Sequence, residues 1–537
     1  MHYRLIHSKA DMPSIIPRPV SIKPGTGVFK LNAGKAIGVQ PETEAIGKYL
    51  ARLLETSTGL CLPVCREEQG GTAQIILHVD AQQPGLGAEG YVLDVTPAQI
   101  HIAGNTAAGV FYGVQTLLQL LPADVFRSTA RPGVRWHVRS LRIMDYPRFA
   151  WRGLMLDTGR YYMPTHFLKR LFDLMALHKL NVFHWHLTED QGWRLEIKRY
   201  PRLTSVGAWR AETVVNHENN RPQHMDGIPH GGFYTQDDVR ELVEYARRRM
   251  ITIVPEIEMP GHAQAAIAAY PELGNTGQRL PVSSNWGVHK NIFNAEQRTI
   301  RFLQNVLEET LGLFPGRFIH IGGDEAVKDQ WKARPRAQAL IRRLRLKDEQ
   351  GLQSWFIRRM DRFLAARGRR LIGWDEILEG GLAKNAVVMS WRGNAGGIAA
   401  AKAGHDVVMA PNTCTYFDYY QSATPAHEPL AIGGCLPLEK AYAFEPVPPE
   451  LNARQAQHIL GAQGQLWTEY MPTPSHVEDM AFPRAAALAE VVWSPRRGKD
   501  YVSFLRRLKN HLKRLDVLDV NYRRSVLQPS DAQRGHP

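Results

Sequence analysis

At 537 residues and 44% hydrophobic content, the chain is longer than one hydrophobic core usually fills, so two domains with one large body are expected. Its formal net charge of +14 invites a polyanionic partner, but the basic residues are spread over helical-looking segments such as 332–347 and 505–523, and no zinc-finger spacing, RNA-binding signature or aromatic-basic interleaving occurs; nucleic acid is not an expected partner. Four cysteines, Cys61, Cys65, Cys414 and Cys435, do not make a disulfide framework at this length, and the spacing of the first two is not that of a metal or redox motif.

The opening MHYRLIHSKA lacks the apolar core of roughly 7–15 residues that marks a signal peptide, and no stretch is long and apolar enough to span a bilayer. The chain as written is expected in the cytoplasm without a membrane partner, and in the periplasm or outside the cell if its start is truncated. Alternating apolar runs at Ala73–Val79, Tyr91–Val95 and Ile100–Gly104 predict strands of a small sheet. Ala107–Leu120 predicts a buried helix in which Gly109 and Gly113 permit close packing. Residues 1–147 thus read as an α/β domain that braces the larger body, since no convergent polar cluster marks a second site.

From residue 148, strand and helix signals alternate at the spacing of a (β/α)₈ barrel. Helices are predicted over 165–180, 235–249 and 296–313, strands over 181–187, 251–255, 371–374 and 386–391, and a turn running into a short buried strand over 316–319. Strand ends of such a barrel share one face, which gathers residues more than 300 positions apart. The fold class is therefore α/β, a (β/α)₈ barrel at 148–515 preceded by the small α/β domain. Residues 516–537 are expected to form a frayed tail, polar and without period beyond Tyr522.

The segment HIGGDE at 320–325 places two adjacent carboxylates, Asp324 and Glu325, at the end of a short buried strand. Adjacent anions repel, so one is expected to be held by donors while the other keeps a raised pKa and serves as a general acid. Side chains leaving the same backbone cannot straddle a sugar at the roughly 5–9 Å separations of two-carboxylate glycosidases, so a nucleophile must come from elsewhere. The pair HWH at 184–186 also invites a zinc reading, with Asp157 and His262 as further ligands, against polar packing at the barrel mouth, which is favoured. No metal or cofactor is expected.

Ordered segments now carry a resemblance: WRGLMLDTGR at 151–160, HWHLTEDQGW at 184–193, PEIEMPGH at 255–262, the acid pair, GWDE at 373–376, SWRG at 390–393, YFD at 416–418 and QLWTE at 465–469. Together they resemble glycoside hydrolase family 20, the β-N-acetylhexosaminidases, over about residues 12–515. The resemblance implies retaining exo-hydrolysis of terminal β-linked GlcNAc or GalNAc from oligosaccharides or glycoconjugates. The substrate's own 2-acetamido oxygen is then the nucleophile and an oxazolinium ion the intermediate.

Carried onto this chain, the family's roles make Glu325 the acid and then the base, with Asp324 holding the acetamido N–H and Tyr416 its oxygen. Trp374, Trp391 and Trp467 become the walls of the acetamido pocket, and Asp418 holds a 4- or 6-hydroxyl. Arg160 grips the 3- and 4-hydroxyls, with Glu469 on the 4-hydroxyl. His262 supports the acid, partnered in many members by an aspartate where this chain has Glu189, a departure of one methylene; Asp190 is the other carboxylate in reach of that role. A non-catalytic sugar-binding barrel is the alternative, and the intact set Asp324, Glu325 and Tyr416 separates the two. Release of a monosaccharide rather than a disaccharide depends on a pocket depth set by the loops 212–232 and 422–449.

Overall fold

The structure is a computed structural model that describes residues 12–66 and 73–527. Its chain falls into two units, one of Met1–Arg148, Ala176–Lys179 and Ala489–Pro537 as far as these are described, the other of Phe149–Met175 and Leu180–Leu488.

The first unit holds a seven-stranded sheet in the order Ser21–Lys30, His137–Asp145, Tyr91–Val95, Ile100–Gly104, Ala73–Val79, Ala36–Val39 and Val64–Arg66. The first four strands pair antiparallel and the last four parallel, sharing Ile100–Gly104. The helix Ala107–Leu120 starts at Thr106, whose side chain accepts from Ala108 N, as an N-cap does. It is buried almost throughout. A Cβ on Gly109 would lie 2.2 Å from Gly90 O, and one on Gly113 2.4 Å from Ile102 Cγ2, so the two glycines do permit the expected close packing.

The C-terminal helix Tyr501–Val517 belongs to this unit. It buries Phe504, Leu508, Leu512 and Leu515, while Arg514 donates to the carbonyls of Ser14 and Gln119. Its apolar stripe specifies that one face is covered, not by which core. Of the segment expected to fray, Val520 and Tyr522 are buried and Arg524–Leu527 forms a 3₁₀ turn; residues 528–537 lie outside the described residues.

The second unit is a closed barrel of eight parallel strands: Trp151–Asp157, Val182–His186, Thr252–Glu256, Phe318–His320, Arg370–Trp374, Val387–Ser390, Val407–Met409 and Ile459–Leu466. Val182, Val254, Ile372, Val387, Met389 and Val408 pack a core with Trp151 and Trp374, the filled interior of this fold. The helices Thr165–Leu177, Gln236–Arg247 and Gln297–Leu313 lie within the predicted ranges. Arg342, Arg343, Arg345 and Lys347 are exposed, the solvated face their pattern suggests. Among the described residues no helix is long and apolar enough to cross a membrane. All four cysteines are free, and Cys414 is partly exposed.

Candidate active site

Each strand end delivers part of one constellation. Arg160 follows Trp151–Asp157, Glu189 sits in the small hairpin of Thr188–Glu189 with Gly192–Trp193, and His262 lies in the turn after Thr252–Glu256. Trp374 ends its strand, Trp391 directly follows Val387–Ser390, and Trp467 and Glu469 follow Ile459–Leu466. Tyr416 and Asp418 arrive through the one-turn helix Asn412–Thr415.

Asp324 and Glu325 are placed by Gly322 and Gly323, at φ +66° and +95°, conformations open to glycine. A Cβ on Gly322 would fall 1.6 Å from Glu258 Oε2, so any other residue would have to displace that carboxyl. Glu325 itself has φ 44° and His262 φ 48°, left-handed backbone in non-glycine residues of the kind found at functional sites.

The two acids meet one imidazole. His262 Nε2 lies 3.5 Å from Asp324 Oδ2 and 3.4 Å from Glu325 Oε2. Its Nδ1 lies 2.7 Å from Glu189 Oε1 and 3.4 Å from Asp190 Oδ2. Glu189 is the nearer partner, and Asp190 is also engaged as acceptor for Gln264 N. Burial works against the charge on His262, but Glu189, Asp190 and Asp324 together hold its pKa well above the usual range.

That cation reverses one expectation. Glu325 does not carry a raised pKa: burial pushes it up, but the hydrogen bond and charge of His262 outweigh this and hold it below the ordinary value. The raised acids lie nearby. Glu376 is pushed up to about 8 by burial and then by Asp324, and Glu258 well above its ordinary value by burial and the same neighbour. A cavity of about 340 Å³ opens beside Glu325, lined also by Gly323, Glu376, Trp391 and Arg392.

Aromatic rings gather around Trp391. Trp374 and Trp467 have centroids 5.7 Å apart, and Tyr416 lies 6.4 Å from Trp467 and stacks 6.2 Å from Trp391. Arg160 sits over Trp467 at 5.2 Å and reaches Asp157 at 3.2 Å, Glu189 at 3.2 Å and Glu469 at 3.6 Å. Burial raises Glu469 to about 7, and burial with Glu469 raises Asp418. Asp324 Oδ1, Asp418 Oδ1 and Arg160 Nε are buried without a hydrogen-bond partner among the described residues. Polar atoms so placed cost free energy unless something fills them.

All eleven predicted site residues are thus brought into one linked cluster. The sequence reading gave no role to the carboxylate beneath it. Glu256 Oε2 lies 2.5 Å from His186 Nδ1 and 3.0 Å from His184 Nε2, while Oε1 takes the Trp374 indole N–H at 2.8 Å and lies 2.7 Å from His320 Nδ1. His184, Glu256 and His320 bring donor atoms within 4.8 Å of one another. Asp157 and His262, imagined as zinc ligands with His184 and His186, are instead engaged with Arg160 and Glu189. The alternation in HWH, two histidines on one strand face opposite an acid of PEIE, was the available signal.

Residues 149–496 match the family described as glycosyl hydrolase family 20, catalytic domain, and residues 12–146 match its domain 2. A β-hexosaminidase of Porphyromonas gingivalis is 46% identical over 95% of this chain, which spans 64% of that protein's length. The β-N-acetylhexosaminidase of Streptomyces coelicolor superposes with a TM-score of 0.83 at 34% identity, covering 96% of this chain and 98% of that one. A mutant Streptomyces plicatus β-hexosaminidase in complex with its product GlcNAc gives 0.82 at 32% identity, covering 95% and 96%.

Proposed function

The chain belongs to glycosyl hydrolase family 20, and from that membership we propose that it removes terminal β-linked N-acetylhexosamine, GlcNAc or GalNAc, from oligosaccharides and glycoconjugates by retaining, substrate-assisted catalysis. One observation carries the reading. Asp324 and Glu325 present oxygens within 4.8 Å of each other and of the same His262 nitrogen, so they flank one side of a substrate rather than two. Inverting enzymes hold their acids about 6.5–9.5 Å apart and two-carboxylate retaining enzymes about 5–5.5 Å apart, astride the bond. A nucleophile on the far side is supplied by the 2-acetamido oxygen.

Glu325 protonates the glycosidic oxygen. Its side chain is 35% exposed in the free site, and a bound sugar covers that part, adding to the desolvation that already favours its protonated form. Asp324 takes the acetamido N–H on Oδ1, stiffening the group and stabilising charge on the oxazolinium ion. Tyr416, whose proton is held tightly because burial raises its pKa well above 10, donates to the acetamido oxygen. Trp374, Trp391 and Trp467 enclose the methyl and exclude water. After the leaving group departs, Glu325 takes a proton from water, which opens the ring at the anomeric carbon; two inversions there leave the β configuration.

Arg160 Nε and Asp418 Oδ1 supply the donor and acceptor that sugar hydroxyls fill. Two loops favour release of a single residue. His217 donates from Nε2 to Ile432 O at 3.2 Å and stacks 5.7 Å from Tyr470, whose hydroxyl accepts from Glu218 N at 3.0 Å. The loops 212–232 and 422–449 thereby touch, with Tyr470 next in sequence to Glu469, and this contact is what supports release of a single residue. The deciding experiment compares aryl β-GlcNAc, β-GalNAc and β-glucoside as substrates. Turnover of the N-acetylated pair alone supports the proposal, and equal turnover of the glucoside refutes it.

A further inference from the structure

Resting on this reading, we propose that His186 is a positioning residue for the general acid, a doubly protonated imidazole held between Glu256 and Glu189 that fixes the carboxylate through which His262 acts on Glu325. Both ring nitrogens of His186 face carboxylate oxygens, Nδ1 to Glu256 Oε2 at 2.5 Å and Nε2 to Glu189 Oε2 at 3.1 Å. Ionised carboxylates only accept, so both nitrogens carry protons. The ring is fully buried, with the edge of Trp467 against it at 4.9 Å. Burial alone would strip its charge, but Glu256, Glu189 and Asp157 reverse this and raise its pKa to about 10.

A continuous line runs from Glu256 through His186, Glu189 and His262 to Glu325, every link 3.4 Å or shorter. Without His186, Glu189 Oε2 keeps only Arg160, 3.2 Å away, the cation that sugar hydroxyls compete for. Glu189 Oε1 is also held by the Asp190 backbone N–H at 2.9 Å, but that contact fixes one oxygen alone, and the rotatable bond that Glu has beyond Asp leaves the other oxygen, and with it the aim at His262, less fixed. The charged groups facing His186 are Glu256 and Glu258 at and beyond the end of Thr252–Glu256, Asp157 at the end of Trp151–Asp157, and Glu189 on the hairpin. Burial and Asp324 push Glu258 well above its ordinary value, and at 4.0 Å it lies farther from the ring than Glu256 and Glu189, the direct counter-charges.

The test compares wild type, His186→Gln and His186→Gln/Glu256→Gln on two aryl β-GlcNAc substrates, one with a phenol-like leaving group and one with a dinitrophenolate that needs no proton. If His186 aims the acid, both variants lose kcat/KM, which reports the steps up to departure of the leaving group, at least about tenfold on the first substrate and under about threefold on the second, within the range of general acid catalysis. The double variant removes, together with His186, the buried carboxylate opposite its Nδ1, and so keeps the test open if the single variant does not fold. Equal losses on both substrates, or wild-type leaving-group dependence in the double variant, would overturn the proposal by showing that His186 only neutralises Glu256. Failure of the wild type on both substrates overturns instead the activity on which the inference rests.

Discussion

The indole N–H of Trp374 donates to Glu256 Oε1 at 2.8 Å, so a wall of the candidate acetamido pocket is fastened to the carboxylate that holds His186. The aromatic wall and the proton-transfer apparatus share an anchor inside the barrel. A change in the core is therefore expected to reach both substrate fit and acid strength.

Replacing Glu325 with Gln removes the proton donor while keeping size and hydrogen-bond reach. Turnover of a substrate with a poor leaving group is expected to fall about a hundredfold to ten-thousandfold, with an unchanged circular dichroism spectrum and melting temperature. Near-normal kcat on that substrate would remove Glu325 from the role.

Asp324→Asn and Tyr416→Phe each delete one contact to the acetamido group as charge develops on it. Both are expected to lower kcat, the Tyr416 change by about a hundredfold to a thousandfold as for other transition-state donors, with KM changing little. A rise in KM alone would mean that these groups only bind the ground state.

The raised pKa of His186 has a stability consequence of fixed sign. Its value is 6.5 when unperturbed and about 10 in the folded chain, so the folded state binds the proton more tightly. The stabilisation is complete below about pH 6.5 and is lost as pH rises through about 10. The melting-temperature gap between wild type and His186→Gln is expected to narrow across that range; a constant gap would contradict a charged, buried His186.

Gly322→Ala puts a methyl 1.6 Å from Glu258 Oε2 at φ +66°. Backbone strain alone costs about 1–3 kcal/mol, and the clash adds to it. Urea unfolding should show at least that loss, and Gly322→Ala/Glu258→Ala should recover only the part due to the clash.

In the first unit, Lys179 Nζ reaches Asp145 Oδ2 at 2.8 Å and the Tyr91 hydroxyl at 2.9 Å, with both charged side chains fully buried. Lys179→Met leaves Asp145 without its counter-charge and is expected to cost about 3–5 kcal/mol. Lys179→Met/Asp145→Asn should cost less, as read by chemical denaturation.

Much of the barrel is legible where strands are rich in β-branched or aromatic residues and bounded by turns, as in Val182–His186, Thr252–Glu256 and Val387–Ser390. Ile459–Leu466 is not, because ILGAQGQL mixes glycine and glutamine into a strand buried along nearly its whole length, and Val407–Met409 is too short to show a period. The residues of the site are legible through their motifs, but their protonation is not. Adjacent carboxylates suggest mutual repulsion; it takes three dimensions to bring His262 to both, and to hide Glu256 among three histidines drawn from two strands.

The first unit takes its core from both ends of the chain, since Tyr501–Val517 belongs with residues that begin near the N-terminus. During synthesis those early strands leave the ribosome several hundred residues before the helix that completes them. The first unit therefore cannot mature in order of emergence and must wait, partly uncovered, until Tyr501–Val517 has emerged. A polypeptide released after residue 496 would lack Phe504, Leu508, Leu512 and Leu515 and would carry that exposure permanently, a recruiting surface for chaperones and for aggregation.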